Sequence, residues 1–261
     1  MYYLLSYKIN IEMKYDDKIK EKIIDNTFIL ALDGDVNFKP QAVRLLIDLM
    51  IKDENKTLGA ACGRIHPIGC GPMVWYEKFE YAVSHRLQKA AEHAYGCVLC
   101  CPGCFSLFRA KALRADNVIH KYTTKSTEAI DYLQYDQGED RWLSTLLLQQ
   151  GWKIEYCAAA DVYTQCSESF EDFYIQRRRW TPSTIANIYD LLSDSKRTVS
   201  MNEYISTPYI WYQYALMIGT ILSPVTIFII LANSLKTTFH WDDINSFVVA
   251  GIPIIFFIVI C

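Results

Sequence analysis

The C-terminal part of the chain lacks charge. No Asp, Glu, Lys or Arg lies between Tyr204 and Leu235, and none between Ile244 and Cys261. The first run is long enough to cross a hydrocarbon core of about 30 Å as a helix. The second is long enough only if it continues, which predicts a chain cut inside a second span. The start, Met1–Ser6, lacks the basic n-region of a signal peptide. A broad basic stripe is also missing and the net charge is −3, which argues against a nucleic-acid partner. Histidines are few and scattered, at positions 66, 85, 93, 120 and 240. They offer no cluster for a two-metal nuclease or phosphatase. No internal repeat or low-complexity tract is present.

What is there fits one large domain followed by membrane helices: 261 residues, 51% of them hydrophobic, with the excess collected at the C-terminal end. Arg177, Arg178, Arg179, Lys196 and Arg197 precede the first uncharged run, and only Lys236 follows it before Asp242 and Asp243. Basic residues favour the cytosolic side, so the bulk of the chain is expected there. A cytosolic body would keep its nine cysteines reduced. Cys97, Cys100, Cys101 and Cys104 have CxxC-like spacing and invite a zinc reading. They share one short segment, however, and such sites usually draw a second ligand pair from elsewhere. Buried thiols are the expected reading.

Along the chain, residues 8–26 read as a polar surface segment, and Thr27–Leu32 as a buried strand. Asp33–Lys39 is the loop after it. Pro40 suits a first helical position, and Val43, Leu46, Ile47 and Met50 give the helix an apolar face. Leu58–Arg64 is a further candidate strand, and Gly69–Pro72 a turn. Residues 76–94 read as a helix with Phe79, Ala82, Val83, Leu87 and Ala90 as its apolar positions. Cys104–Phe108 is an apolar strand, and residues 114–137 read as irregular. A helix is expected over 139–150, closed by Gly151. Ser169 with Asp172 resembles a capping box that opens the helix carrying the arginines.

Three constellations carry chemistry. Asp33-Gly34-Asp35 follows a strand, and two carboxylates two residues apart point the same way if the backbone stays extended. Such hard oxygens hold Mg²⁺ or Mn²⁺ while phosphates fill the remaining positions. A solvated acidic loop has the same residues. Glu139-Asp140 opens a helix, where it either complements the dipole or supplies a general base. Gln176-Arg177-Arg178-Arg179-Trp180 places guanidiniums that can pair with phosphate oxygens beside an aromatic platform. The arginines also read as a topology signal, and Trp180 as a membrane-interface anchor. The three in this order, ahead of a membrane span, are unlikely by chance.

At these residues the chain resembles the processive, membrane-embedded family-2 glycosyltransferases, most closely the chitin synthases of animals. The resemblance covers essentially all of residues 1–261. Beyond the motifs above it includes ALDGD (Ala31–Asp35), CGRIHPIG (Cys62–Gly69), GPMVWYEKFEYA (Gly71–Ala82), GCVLCCPGCFSLFR (Gly96–Arg109), YDQGEDRWL (Tyr135–Leu143) and QRRRWTPSTIANIYDLL (Gln176–Leu192). It implies an α/β, GT-A-like Rossmann-type catalytic core over residues 1–203, its N-terminal part missing. A transmembrane helix over 204–235, a short extracytoplasmic loop over 236–243 and a truncated second helix over 244–261 would follow.

The resemblance further implies that Asp33 and Asp35 hold the metal and the donor diphosphate, Asp35 the more direct ligand. Asp140 would be the base. Gln176, Trp180 and Glu139 would lie on the acceptor side, and Arg179 would neutralise the leaving diphosphate. The implied donor is UDP-N-acetylglucosamine and the implied product a growing β-1,4 chitin chain, exported across the plasma membrane by a multi-pass protein in a lipid bilayer. A homo-oligomer is compatible with this. The family's upstream uridine-binding strands and its downstream Ser-Trp-Gly-Thr-Arg stretch have no counterpart here, so the chain is expected to be a central fragment. Hyaluronan and cellulose synthases share the core, and the Cys97–Phe108 segment favours chitin by resemblance. A non-catalytic, membrane-anchored scaffold is the alternative from another class; binding of UDP with metal would separate the two.

Overall fold

The structure is a computed structural model and describes residues 16–260. The chain divides into two units, Met1–Ile210 and Trp211–Cys261. The first contains helix α1 (Asp17–Asp25), β1 (Phe28–Leu32), β2 (Asn37–Phe38), α2 (Pro40–Lys52), β3 (Leu58–Ile68) and α3 (Pro72–Val83). A π-helical turn, Ser84–Gln88, joins α3 to α4 (Lys89–Tyr95). Next come β4 (Phe105–Arg109), α5 (Ala110–Arg114), α6 (Asp116–Tyr122), α7 (Ala129–Asp131) and a second π turn, Tyr132–Asp136. The unit ends with α8 (Glu139–Gln149), β5 (Lys153–Gln165), α9 (Phe170–Ser193) and α10 (Ser195–Met201).

The sheet runs β1-β4-β3-β5-β2. β3 and β5 pair in parallel; the other neighbours are antiparallel. α2 lies on one face. Its Ala42, Leu46 and Met50 pack with Leu58, Ala61, Ile65, Phe105, Leu107, Ala160 and Val162. Each fully buried Leu or Met there contributes about 1.5–3 kcal/mol. Arg109, at the end of β4, ties this layer together. It donates to the carbonyls of Leu58 at 2.8 Å, Met50 at 3.0 Å and Asp25 at 3.3 Å. One buried guanidinium thus satisfies three backbone carbonyls, from α1, α2 and β3.

Several expectations are corrected. Of the polar surface segment expected over 8–26, residues 8–15 lie outside the described residues, and 17–25 form a largely exposed helix. β1 is a half-buried strand at the edge of the described sheet, with Leu32 exposed, rather than a buried one. The loop after it contains the two-residue β2, which exists because β5 offers it a partner. β5, thirteen residues long, was not among the expected strands, although Lys153–Cys157 alternates in the manner of one. Residues 114–137 form short helices and a π turn. The largest correction concerns residues 72–95. Phe79, Val83 and Leu87 face outward, and the buried positions are Val74, Glu77, His85 and Glu92. Periodicity finds a stripe but does not say which side of the helix meets the sheet.

α11 (Thr207–Phe239), whose first turn belongs to the first unit, and α12 (Asp243–Ile260) cover most of the two uncharged runs. Among the described residues, α11 is long and apolar enough to cross a membrane. Phe228 and Phe247 meet at 5.7 Å between the two helices, and Lys236 pairs with Asp243 at the turn.

Candidate active site

The Asp33 amide donates to the Cys104 carbonyl at 3.4 Å, so the first carboxylate emerges where β1 leaves the sheet. The Val36 amide then donates back to the Asp33 carbonyl at 3.3 Å. This closes a tight turn over Gly34 and Asp35, in place of the extended backbone the sequence suggested. A Cβ on Gly34 would meet nothing within 4 Å, so the turn is open to a ligand. Asp35 Oδ2 accepts from Thr164 Oγ1 at 3.0 Å, which anchors the turn to β5. The Asp33 carboxyl is held above its ordinary range, first by desolvation and then by the like charges of Asp35 and Asp140. Residues more than a hundred positions apart therefore share one electrostatic neighbourhood.

Asp140 sits in the first turn of α8. Its Oδ1 accepts from the Arg141 amide at 2.8 Å, and its Oδ2 from the Cys100 thiol at 3.6 Å. Burial, then the Asp140 charge, push that thiol up to about 12, so it stays protonated and donates. Ser144 Oγ donates to the Asp140 carbonyl at 2.8 Å and accepts from the Cys101 amide at 2.9 Å. The cysteine segment is thus a clamp on the start of α8. Cys97, Cys100 and Cys101 are buried and Cys104 partly so. Sequence reasoning took them for core thiols and missed that Cys100 reaches the candidate base. Glu139 is exposed and its charge acts on Tyr122.

The residue before this pair fixes where α8 begins. A Cβ on Gly138 would lie 1.6 Å from Ser183 Oγ and 2.9 Å from Ser183 Cβ, on α9. Only glycine lets the two helices approach. Gly138→Ala should lower stability by about 1–3 kcal/mol through overpacking. Calorimetry should show a lower Tm that Ser183→Ala partly restores; an unchanged Tm would contradict the close approach.

α9 carries the arginine cluster and starts at Ser169, whose Oγ accepts from the Asp172 amide at 3.1 Å. The three arginines are not equivalent. Arg177 bonds Glu80 on α3 at 2.5 Å and lies over the rings of Phe173 and Trp180 at 4.9 and 4.8 Å. Arg178 and Arg179 are exposed, with no ion pair among the described residues. Gln176 Oε1 is buried without a hydrogen-bond partner among the described residues. The fold therefore gathers Asp33, Asp35 and Asp140. Gln176, Arg179 and Trp180 lie on α9, which meets the start of α8 at Gly138 and its far end through Gln149 and Asp190 at 2.9 Å; no hydrogen bond or ion pair joins them to the aspartates among the described residues.

Among the described residues, no group of three or more His, Cys, Asp and Glu side chains encloses a metal position. The donor set still fits Mg²⁺ or Mn²⁺. Asp33 and Asp35 are hard oxygen donors on an exposed turn, and the crowding that raises Asp33 is relieved by a cation. Such an ion takes its remaining oxygens from phosphate and water.

Comparison with known proteins follows the same residues. The chitin synthase family profile matches residues 8–260. The chain is 56% identical over its whole length to Caenorhabditis elegans chitin synthase chs-2, of which it covers 16%. It is 52% identical to a chitin synthase of Meloidogyne artiellia, of which it covers 14%. It thus spans about a sixth of the length of these curated relatives. A solved mannosyltransferase, PcManGT from Pyrobaculum calidifontis in complex with GDP-Man and Mn²⁺, aligns with 91% of this chain and 65% of its own at 9% identity and a TM-score of 0.41. By the extent of the profile match and the identity to its relatives, the chain belongs to the chitin synthase family.

Proposed function

We propose that this segment is catalytic core of a chitin synthase with a GT-A-like fold, moving N-acetylglucosamine from UDP-N-acetylglucosamine onto a growing β-1,4 chain. The seating of Asp33 and Asp140 on the same Cys100–Cys104 segment, with Asp35 in the adjoining turn, carries the reading, and family membership names the sugar. The protein would lie in the plasma membrane as a multi-pass enzyme, its core cytosolic, and would couple synthesis to export.

In this reading Asp33 and Asp35 hold Mg²⁺ or Mn²⁺. Once bound, that ion neutralises charge developing on the donor diphosphate. The acceptor 4-hydroxyl oxygen forms the new bond to C1 of the donor sugar. The bond from C1 to the diphosphate breaks, and its electron pair leaves on UDP. The hydroxyl proton passes to Asp140 Oδ2, the oxygen held only by a long thiol contact. Arg179, unpaired within the described chain, supports the departing diphosphate. The buried, unpartnered Gln176 Oε1 and the face of Trp180 hold the terminal sugar, with Glu139 beside them.

The test is incorporation of labelled sugar into alkali-insoluble, chitinase-sensitive polymer by a full-length synthase carrying this segment. Trp180→Ala should reduce elongation about tenfold or more, a stacking platform being worth roughly 1–3 kcal/mol, and leave donor hydrolysis much less affected. Equal losses in both would make Trp180 an anchor rather than an acceptor platform.

A further inference from the structure

Residues 72–95 form one helical segment whose outward side has an unusual division of charge. Trp75 and Phe79 are each 68% exposed and Leu87 66%, and exposed Val83 completes a stripe at four-residue spacing. The carboxylates of the segment are turned away from this side. Glu77 and Glu92 are buried, and Glu80 is taken by Arg177. Lys78 and Arg86 remain exposed, with no ion pair among the described residues. Apolar and aromatic residues thus alternate with unneutralised cations, the composition of a helix that rests in a membrane interface.

A cavity of about 330 Å³ opens on one flank of the same helix. Its basic lining comes from Arg64, His66, Lys78, His85 and Arg86. Asp161 already holds Arg64 at 2.6 Å and His66 at 2.8 Å. That leaves Lys78 and Arg86 as the free positive charge. His85 is 3% exposed and its Nδ1 has no hydrogen-bond partner among the described residues. Burial first, then the charges of Lys89, His66 and Arg64, keep its imidazole neutral.

We propose that this segment lies in a bilayer interface, the stripe from Trp75 to Leu87 set against acyl chains and the flanking cavity holding the phosphate of an anionic phospholipid through Lys78 and Arg86. A soluble anion would use the cavity and leave the stripe bare. An apolar protein partner would cover the stripe and leave two cations unanswered. An anionic phospholipid meets both, and the negative leaflet attracts such cations. Lipid capture here stands whether or not the chain transfers sugar.

Hydrogen–deuterium exchange over residues 72–95 tests this, with the protein in neutral detergent. Phosphatidylserine at ten times its Kd should slow exchange there about tenfold. Phosphatidylcholine and inorganic phosphate should do much less. The pair Lys78→Gln and Arg86→Gln should abolish the difference between the two lipids. A photoreactive phosphatidylserine should crosslink the unmodified protein within 72–95, a readout that does not depend on the variant folding. Equal protection by both lipids, protection by phosphate alone, or protection that grows with protein concentration without lipid would each overturn the proposal. The last result would mean a second copy covers the stripe.

Discussion

Asp140→Asn in a full-length chitin synthase carrying this segment should lower polymer formation by about 10²–10⁴-fold, the usual contribution of a general base. UDP binding should stay near its starting level. The amide keeps the size of the side chain and can still accept at Oδ1 from the Arg141 amide, so the start of α8 is preserved. What is lost is the oxygen that takes the acceptor proton. Calorimetric titration with UDP and Mn²⁺, beside labelled-sugar incorporation, separates the two. If nucleotide binding falls with activity, Asp140 has a structural part and the base lies elsewhere.

Asp35→Asn should abolish metal-dependent turnover while the fold survives, since Asn still accepts from Thr164 and the turn stays anchored. The apoprotein should become slightly more stable at neutral pH, because one of the like charges pressing on Asp33 is gone. The sign follows from the direction of the shift. A carboxyl held above its ordinary range favours folding where it is protonated, and that contribution is lost as pH rises through its folded value. A bound cation favours the ionised form instead. Mn²⁺ should therefore raise the Tm at pH 7 and progressively less as pH falls through the raised Asp33 value. Equal stabilisation by Mn²⁺ in the wild type and in Asp35→Asn would place the metal elsewhere.

Features set by neighbouring residues were legible in the sequence. Pro40 at the start of α2, Gly151 after α8 and Ser169 at the cap of α9 all announce themselves locally. Gly151 adopts φ +87°, and a Cβ there would meet the Met201 carbonyl at 2.6 Å. Features set by the tertiary fold were not legible. β2 depends on β5, and the proximity of Asp33 to Asp140 depends on the loop at Cys100–Cys104. Three consecutive arginines look alike in sequence, yet on a helix they point about 100° apart, so Arg177 meets Glu80 and Arg179 does not. The outward side at Phe79, Val83 and Leu87 escaped the sequence for a related reason. Amphipathicity was taken as burial of the apolar side, whereas the sheet claims the side with Glu77 and His85.

The π turn at Ser84–Gln88 has a genealogical consequence. Such turns commonly hold one residue more than an α-helical path needs. Before it, Val74 and Glu77 meet the sheet. After it, Lys89 reaches the Cys100 carbonyl and Glu92 accepts from the Leu99 amide. Losing one residue within the turn would rotate everything downstream by roughly 100° and swing both groups away from those contacts. Lineages that keep the Cys100 clamp on Asp140 should accordingly tolerate substitutions at positions 84–88 far better than a change in their number, and alignment gaps should fall outside the Pro72–Tyr95 segment.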